Sequence, residues 1–345
     1  MSEGGDGKIA ARKARWERFL VMDGRQAFMH VVDCSEGVPE RAWPTPGRYQ
    51  ERVDWGIRSW ERRMRDLDWL EDDTVPFLDP YTGTEIFAAA LGCTVAYPED
   101  NMPFARPLID DASQLDRVRV PELSRSSLAV LFDIADEIRK RAGPGAAMRL
   151  IDVQSPMDIA ALVWDKNTFY TALLETPRAV RELAARAKAL LAAFLDCWFD
   201  RYGREFVAHY PQYYMPVGLT LSEDEVGSVS PELFQQLFLP ELAELSARYG
   251  GLGMHCCANA RHQWEGFKRI PGLRLINLNQ PVAVCEAAFP VFAETCAQMP
   301  VAEPEWDLSK GPGQFPQGAH IVLTSTVKTR EEAKRRVDIF QRLYR

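Results

Sequence analysis

The sequence has little of what membrane proteins, secreted proteins and nucleic-acid-binding proteins require. No apolar run approaches the ~20 residues that span a bilayer, and the segment Met1–Phe19 has no apolar core of a secretory signal. With 41 Lys and Arg against 49 Asp and Glu, the formal net charge is −8. The chain therefore has no excess of positive charge for nucleic acid or an anionic membrane. We expect a small-molecule substrate, and neither a nucleic acid nor a membrane as a partner.

Cysteine is scarce, and its pattern does not suggest disulfides. The chain has 7 cysteines, an odd number, without the close spacing of a disulfide-rich domain. A reducing cytoplasm is the expected location. A nucleotide-binding glycine loop is also missing, because Gly143–Gly145 and Gly250–Gly253 do not follow a predicted strand and open a helix.

What the sequence does have is an alternation of strands and helices. Apolar residues at helical spacing predict helices at Ser126–Arg141, Pro177–Tyr202, Pro231–Tyr249 and Thr329–Tyr344. Short apolar or β-branched runs predict strands at Phe28–Val32, Val75–Leu78, Thr94–Tyr97, Met148–Val153, Phe206–His209, Leu252–Cys256, Leu273–Leu278 and Ile321–Thr324. Eight strands and a final strand–helix pair favour a closed (β/α)₈ TIM barrel over an open doubly wound sheet.

We expect one folded unit in two parts. Residues 1–74 form an N-terminal helical extension and the first strand, and residues 75–345 form the rest of the barrel. Four tryptophans in the first part are expected to belong to a helical cap over the barrel mouth: Trp43, Trp55, Trp60 and Trp69.

Polar residues follow several of the predicted strands, where the active site of a TIM barrel lies. Asp152 and His209 are candidates for general acid–base catalysis. Tyr213, Tyr214, Gln154 and Asn277 are candidates for substrate binding. The tyrosines lie in an aromatic, proline-broken loop that either covers a substrate or packs over the barrel mouth.

The segment Met254-His-Cys-Cys-Ala-Asn259 is the sharpest chemical signal. Side chains alternate along a strand, so His255 and Cys257 point to one side and Cys256 to the other. An imidazole and a thiolate form a two-ligand platform for which zinc is the best candidate. The alternative is a buried cysteine pair beside a hydrogen-bonded histidine.

The same segment resembles the His-x-Cys-Gly-Asn stretch of the uroporphyrinogen decarboxylase superfamily, and in particular its zinc-dependent, corrinoid-linked methyltransferases. Further similar segments follow the family's order: Asp79–Gly92, Ser155–Ala160, Leu221–Glu225 and Val229–Phe234. The resemblance covers roughly residues 75–345. True decarboxylases carry an Arg-Gln-Ala-Gly-Arg segment, of which Gly24-Arg-Gln-Ala-Phe28 keeps only a part, and this departure argues against uroporphyrinogen as the substrate.

The resemblance implies that His255 and Cys257 are two zinc ligands and that the metal activates an incoming thiol. The third family ligand is a cysteine on the last strand, where Ile321–Thr326 has none. Cys285, Cys296, Glu286, His320 and a substrate atom remain alternatives for that position.

Three functions stay open. The first is a methyltransferase that moves a methyl group between a small substrate or a corrinoid and a thiol, with zinc as cofactor and a corrinoid protein as a candidate partner. The second is a metal-free decarboxylase or lyase that uses Asp152 and His209 on a carboxylated substrate. The third is a barrel that binds a ligand or a partner protein without turnover. A homodimer is the commonest assembly of such proteins.

Overall fold

The computed structural model describes residues 3–99, 101–301 and 306–345. Within these ranges no helix combines the length and the apolar character that crossing a bilayer demands. The strands are β1 Ala27–Cys34, β2 Phe77–Leu78, β3 Thr94–Ala96, β4 Phe104–Arg106, β5 Ala147–Arg149, β6 Phe206–Val207, β7 Tyr214–Met215, β8 Leu219–Ser222, β9 Leu252–Cys256, β10 Leu273–Asn279, β11 Ala297–Val301 and β12 His320–Val327.

The helices that surround these strands carry the chain from one strand to the next. They are α1 Glu3–Phe19, α2 Tyr49–Asp66, α3 Ile86–Ala90, α4 Ala129–Ala142, α5 Pro156–Val163, α6 Lys166–Glu175, α7 Pro177–Tyr202, α8 Pro231–Leu233, α9 Leu239–Tyr249, α10 Trp264–Phe267, α11 Val282–Phe292 and α12 Arg330–Tyr344. A π-helical segment, Phe234–Phe238, joins α8 to α9. The four helices expected from periodicity are confirmed, and Thr329 caps α12 by accepting a hydrogen bond from the backbone N–H of Glu332.

The strands form an α/β fold with a mostly parallel central arrangement. One sheet has the order β1-β12-β11-β10-β9-β8, and its pairs are parallel. A second sheet has the order β2-β5-β6-β7, in which only β7 runs antiparallel. Parallel strands need crossover connections, which the helices supply. The register of the first sheet places His255 of β9 between Ser222 of β8 and Asn277 of β10.

Backbone hydrogen bonds connect both edge strands of the first sheet, β8 and β1, to segments next to strands of the second sheet. Beyond β5, the N–H of Ser155 donates to the carbonyl of Ser222 at 2.9 Å, and the N–H of Ser222 donates to the carbonyl of Val153 at 3.0 Å. On the other side, the N–H of Asp73 donates to the carbonyl of His30 in β1 at 2.8 Å. Buried backbone groups between the sheets are thereby paired.

Several strands differ from the expectation, among them Phe104–Arg106 and Tyr214–Met215, which the sequence did not predict. Thr94–Ala96 pairs antiparallel with Phe104–Arg106 in a separate hairpin and is not part of either larger sheet. The strands Leu219–Ser222 and Ala297–Val301 were not predicted. Both are short, the first runs straight into an acidic turn and the second contains Pro300, so neither has a clear strand pattern.

The two N-terminal helices lie in different places: α2 packs against Tyr81 through Trp55, with 5.5 Å between ring centroids, and α1 does not share this position. Helix α1 lies at the N-terminal ends of the strands, where His320, the first residue of β12, bonds the carbonyl of Phe19 at 2.5 Å. Residues 35–48, which approach the cavity described below, contain no helix. The tryptophans divide among separate apolar clusters, with Trp60, Trp69 and Trp55 each in a different one. The predicted helical cap is therefore not confirmed.

Candidate functional site

A cavity of about 500 Å³ opens at the C-terminal ends of the strands. Residues following β2, β5, β6, β8 and β9 line it, among them Thr82, Asp152, Gln154, His209, Asp224 and His255. In parallel α/β folds this edge of the sheet is where ligands bind. The position agrees with the expectation from sequence.

Three potential metal ligands lie together beside this cavity. A ring nitrogen of His255, the sulfur of Cys257 and a carboxylate oxygen of Asp224 all lie within 4.8 Å of one another. Asp224 and His255 are half-buried and Cys257 is exposed. Nitrogen, sulfur and oxygen donors in this number suit zinc with one open position. The donor set therefore fits the metal that the resemblance implies.

Asn277 fixes the ring of His255. The Nδ1 atom of His255 lies 2.5 Å from the Oδ1 atom of Asn277, whose Nδ2 donates to the carbonyl of Met299 at 2.5 Å. Because the amide oxygen only accepts, Nδ1 carries the proton and Nε2 has its lone pair free for a cation. Tyr210 packs edge-on against the same ring, with 4.9 Å between ring centroids.

A buried carboxyl group places Asp224. Asp158, in the first turn of α5, accepts hydrogen bonds from the backbone N–H groups of Asp224 and Glu225, at 2.9 to 3.1 Å. Ser155 caps α5 by accepting from the N–H of Asp158 at 2.9 Å. The Asp224 carboxylate in turn accepts from the N–H of Cys257 at 2.6 Å. The acidic turn after β8 is thus held against the His-x-Cys segment.

The charge state of Cys257 depends on a cation. Burial, together with the neighbouring carboxylate of Asp224, raises the pKa of the Cys257 thiol to about 12. The side chain is consequently a thiol at neutral pH when no cation is bound, and a divalent ion between the three donors reverses that preference.

Asp152 and His209 form a second polar pair in the cavity. The Nε2 atom of His209 lies 3.5 Å from the Oδ2 atom of Asp152. Burial lowers the pKa of His209 to about 3, and burial, aided by the charge of Glu85, raises the pKa of Asp152 to about 7. At neutral pH His209 is therefore neutral, while Asp152 exchanges a proton readily.

An arginine beneath the cavity is already neutralised. Arg149 donates to Asp79 at 2.6 Å and also to the carbonyl of His209. Burial opposes ionisation of Asp79, but Arg149 and Arg63 prevail and hold its pKa below the usual value. Arg149 thereby ties Asp79 to the loop that carries His209.

The structure separates the other predicted substrate-binding residues. Gln154 lines the cavity, and its Oε1 atom is buried without a hydrogen-bond partner. Asn277 is fully buried behind His255. Tyr213 and Tyr214 are buried in the core, Tyr214 donating to Glu205 at 2.7 Å, and neither lines the cavity.

Other residues reach the cavity that the sequence did not single out. They are Arg41, Tyr81, Met102 and Tyr210. The guanidinium of Arg41 lies over the ring of Tyr81, 4.4 Å from its centroid, and also donates to the Tyr81 hydroxyl at 2.8 Å. These residues come from loops that lack a strand pattern, and only Tyr210 lies in the aromatic loop that the sequence highlighted.

The alternatives considered for the third metal ligand do not join the cluster of Asp224, His255 and Cys257. Cys285 and Cys296 are buried in the core, and His320 lies at the opposite ends of the strands. In the structure the third potential ligand beside His255 and Cys257 is Asp224. Its signal in the sequence is the acidic turn Glu223-Asp-Glu225, which follows a strand too short to predict.

The model of the uroporphyrinogen decarboxylase (URO-D) family matches residues 81–298, well over half of the chain. The chain belongs to this family. No curated protein matches the sequence. Among solved structures, a methyltransferase from Methanosarcina mazei is similar, with a TM-score of 0.66 and 13% sequence identity, covering 97% of this chain and 99% of that chain.

In this URO-D family member the matched range contains all three potential metal ligands and both residues of the Asp152–His209 pair. The expected superfamily is confirmed, and the methyltransferase from Methanosarcina mazei shares its fold.

Proposed function

We propose that the chain is a zinc-dependent methyltransferase that moves a methyl group between a small substrate or a corrinoid and a thiol. The observation that carries the proposal is the convergence of Asp224, His255 and Cys257, with donor atoms within 4.8 Å of one another, beside a cavity of about 500 Å³. The family and the methyltransferase of similar fold support it.

Asp224, His255 and Cys257 would hold the metal, which when bound supplies a Lewis acid that ionises an incoming thiol at neutral pH. Asn277 holds the His255 ring through Nδ1, which leaves the lone pair of Nε2 free for the metal. Asp158 keeps the Asp224 carboxylate in place through the backbone N–H groups it binds.

The remaining cavity residues would bind the methyl donor and handle a proton. The buried Oε1 of Gln154, without a protein partner, suits a hydrogen-bond donor on the substrate. Asp152, whose pKa burial raises to about 7, can accept the proton that the thiol releases. A corrinoid protein remains the proposed partner where the methyl donor is a corrinoid.

We further propose that the two sheets close into one (β/α)₈ barrel. The backbone hydrogen bonds of Ser155 and Ser222 on one side, and of Asp73 and His30 on the other, support this closure. In that arrangement one core is surrounded by β1, β2, β5, β6 with β8, and β9–β12. The loops after these strands form the active-site face.

Zinc content tests the proposal directly. We expect about one zinc per chain in the purified protein, and loss of that zinc in His255→Ala, Cys257→Ala and Asp224→Ala. Cys256→Ala is the matched control, because this neighbouring thiol is buried and points to the carbonyl of Ala258 instead. Wild-type protein that takes up no zinc, or variants that all keep it, would overturn the assignment.

A second candidate function rests on the Asp152–His209 pair. A neutral imidazole and a carboxyl group with a pKa of about 7 in one cavity also suit a metal-free lyase or decarboxylase. Under this alternative, turnover survives His255→Ala and Cys257→Ala but not Asp152→Asn. Under the methyltransferase proposal, methyl transfer to a thiol is lost in each of these variants, His255→Ala, Cys257→Ala and Asp152→Asn.

A further inference from the structure

A second cavity, also of about 500 Å³, lies behind the wall of the first. Thr82 lines both cavities, while Gly83 and Thr84 face the first and Glu85 faces the second. The segment 82–85 therefore separates two compartments of similar size. Nothing in the proposed methyl transfer uses the second one.

The walls and rim of this second cavity are apolar and aromatic. Ile86 and Leu131 are buried in its wall, and Val95 also lines it. At the rim, Tyr49 and Tyr97 keep 37% and 47% of their surface exposed. Large side chains that stay exposed around a concave apolar surface are typical of a ligand site.

A buried cation lines the same cavity. Arg52 is 8% exposed, and its Nη2 donates to the carbonyls of Pro80 at 3.2 Å and Tyr81 at 2.8 Å. Its Nε is buried without a partner, and no carboxylate of the described residues lies within 4 Å of its guanidinium. Burial lowers the pKa of Arg52 to about 10, so the group stays charged at neutral pH. A buried charge without a counter-ion is costly, and an anionic ligand relieves that cost.

Glu85 lies near this cation, but the two side chains form no ion pair. Glu85 is 6% exposed, and its Oε2 lies so close to Gly83 that a Cβ atom there would meet it at 2.2 Å. Neither oxygen of Glu85 comes within 4 Å of the Arg52 guanidinium, and burial raises the pKa of Glu85 to about 7. A large fraction of Glu85 is therefore protonated near neutral pH and able to donate a hydrogen bond.

We propose that this cavity is a binding site for a small aromatic carboxylate. The ring would lie between the apolar wall and the tyrosines of the rim, and the carboxylate would face Arg52 and the protonated Glu85. The volume is sufficient for a single-ring acid with substituents. The assignment is independent of the metal cluster and of the proposed methyl transfer.

Fluorine NMR of 4-fluorobenzoate, with the neutral 4-fluorobenzamide beside it, tests the proposal on the full chain. We expect the acid to bind at least tenfold more tightly than the amide. Arg52→Gln and Ala89→Phe, the second of which fills the cavity from α3, should each weaken binding of the acid at least tenfold. His255→Ala and Arg41→Gln, both in the first cavity, should leave that binding unchanged.

Each other outcome contradicts the proposal. Equal binding of the acid and the amide would show that Arg52 does not recognise the carboxylate. Undiminished binding of the acid to a folded Ala89→Phe protein would show that the probe binds outside the second cavity. Loss of binding in His255→Ala would assign the carboxylate to the first cavity. Absence of any binding by the folded wild type would also overturn it. Arg52→Gln also removes two hydrogen bonds to backbone carbonyls and could unfold the protein for that reason. If Arg52→Gln unfolds, Ala89→Phe still decides the test.

Discussion

At the scale of single residues, the potential metal ligands are held in place by hydrogen-bond partners that lie far from them in the sequence. His255 is oriented by Asn277, one strand away, and Asp224 by Asp158, on a helix 66 positions earlier in the chain. Such supporting residues typically change metal affinity 10- to 100-fold when removed. Two predictions belong to this scale.

Asn277→Ala should weaken zinc binding by about 10- to 100-fold. The variant removes the acceptor that holds the proton on Nδ1 of His255, so the ring loses both its orientation and its fixed tautomer. Chelator competition measures the affinity. Asn279→Ala, at the exposed end of the same strand, is the control and should bind zinc as the wild type does. Equal affinity of the two variants would contradict the role of Asn277.

Asp152→Asn should change how stability depends on pH. Burial raises the pKa of Asp152 to about 7, against about 3.9 in an unfolded chain. Between these values the folded protein holds a proton that the unfolded chain has released, so stability falls as pH rises from about 4 to about 7. Asparagine does not titrate. The free energy of unfolding of the variant, relative to that of the wild type, should therefore rise by roughly 2–3 kcal/mol from pH 5 to pH 8.

Urea unfolding of both proteins at the two pH values measures this difference. Glu85 and Asp158, whose pKa values are also raised to about 7, are present in both proteins, so their titration is common to the comparison. A constant difference between the two proteins across this range would mean that Asp152 is an ordinary ionised carboxylate in the folded state.

At the scale of elements, the site is built where the connections after parallel strands begin. Strands β8, β9 and β10 lie side by side in register, which brings the acidic turn, the His-x-Cys segment and Asn277 together. Helix α5 contributes through its first turn, because Ser155 caps it and Asp158 then faces the acidic turn. The capped start of α5 therefore helps to hold the acidic turn in place.

Thr329→Ala should lower the free energy of unfolding by about 1 kcal/mol. The side chain of Thr329 accepts the N–H of Glu332 at 3.2 Å in the first turn of α12, and alanine leaves that donor without a protein partner. Thr329→Ser keeps the hydroxyl and should stay close to wild type in urea unfolding. A serine variant as unstable as the alanine variant would show that the methyl group, and not the cap, matters.

At the scale of the whole molecule, the two ends of the strand assembly have different tasks. The C-terminal ends carry the cavity and the group Asp224, His255 and Cys257, whereas α1 packs against the N-terminal ends. Trp16 of α1 is fully buried, donates to the carbonyl of Asp73 at 2.8 Å and packs near Tyr213. Stability and chemistry should therefore respond to different mutations.

Trp16→Ala should destabilise the protein by about 3–5 kcal/mol, because it leaves a large void in the core and an unpaired carbonyl. The zinc affinity of the folded variant should equal that of the wild type, since α1 lies at the end opposite the metal cluster. Urea unfolding measures the loss of stability, and chelator competition measures the zinc affinity. Weaker zinc binding by the folded variant would show that the two ends are coupled.

Much of this organisation is readable from local sequence. Period-3.6 patterns predicted α7 and α12 within a residue, because that signal lies within the helices themselves. The spacing of His255 and Cys257 predicted two of the three potential metal ligands, and the order of family segments identified the superfamily. Each of these depends on residues that are close in the chain.

The tertiary structure decided what depends on distant residues. Asp224 joins His255 and Cys257 only because β8 pairs with β9, and β8 is too short to carry a pattern of its own. Tyr213 and Tyr214 turn into the core, and Tyr210 and Arg41 reach the cavity, because loop direction is set by packing and not by local spacing. The second cavity, with Arg52 in its lining, likewise exists only between separate segments of the folded chain.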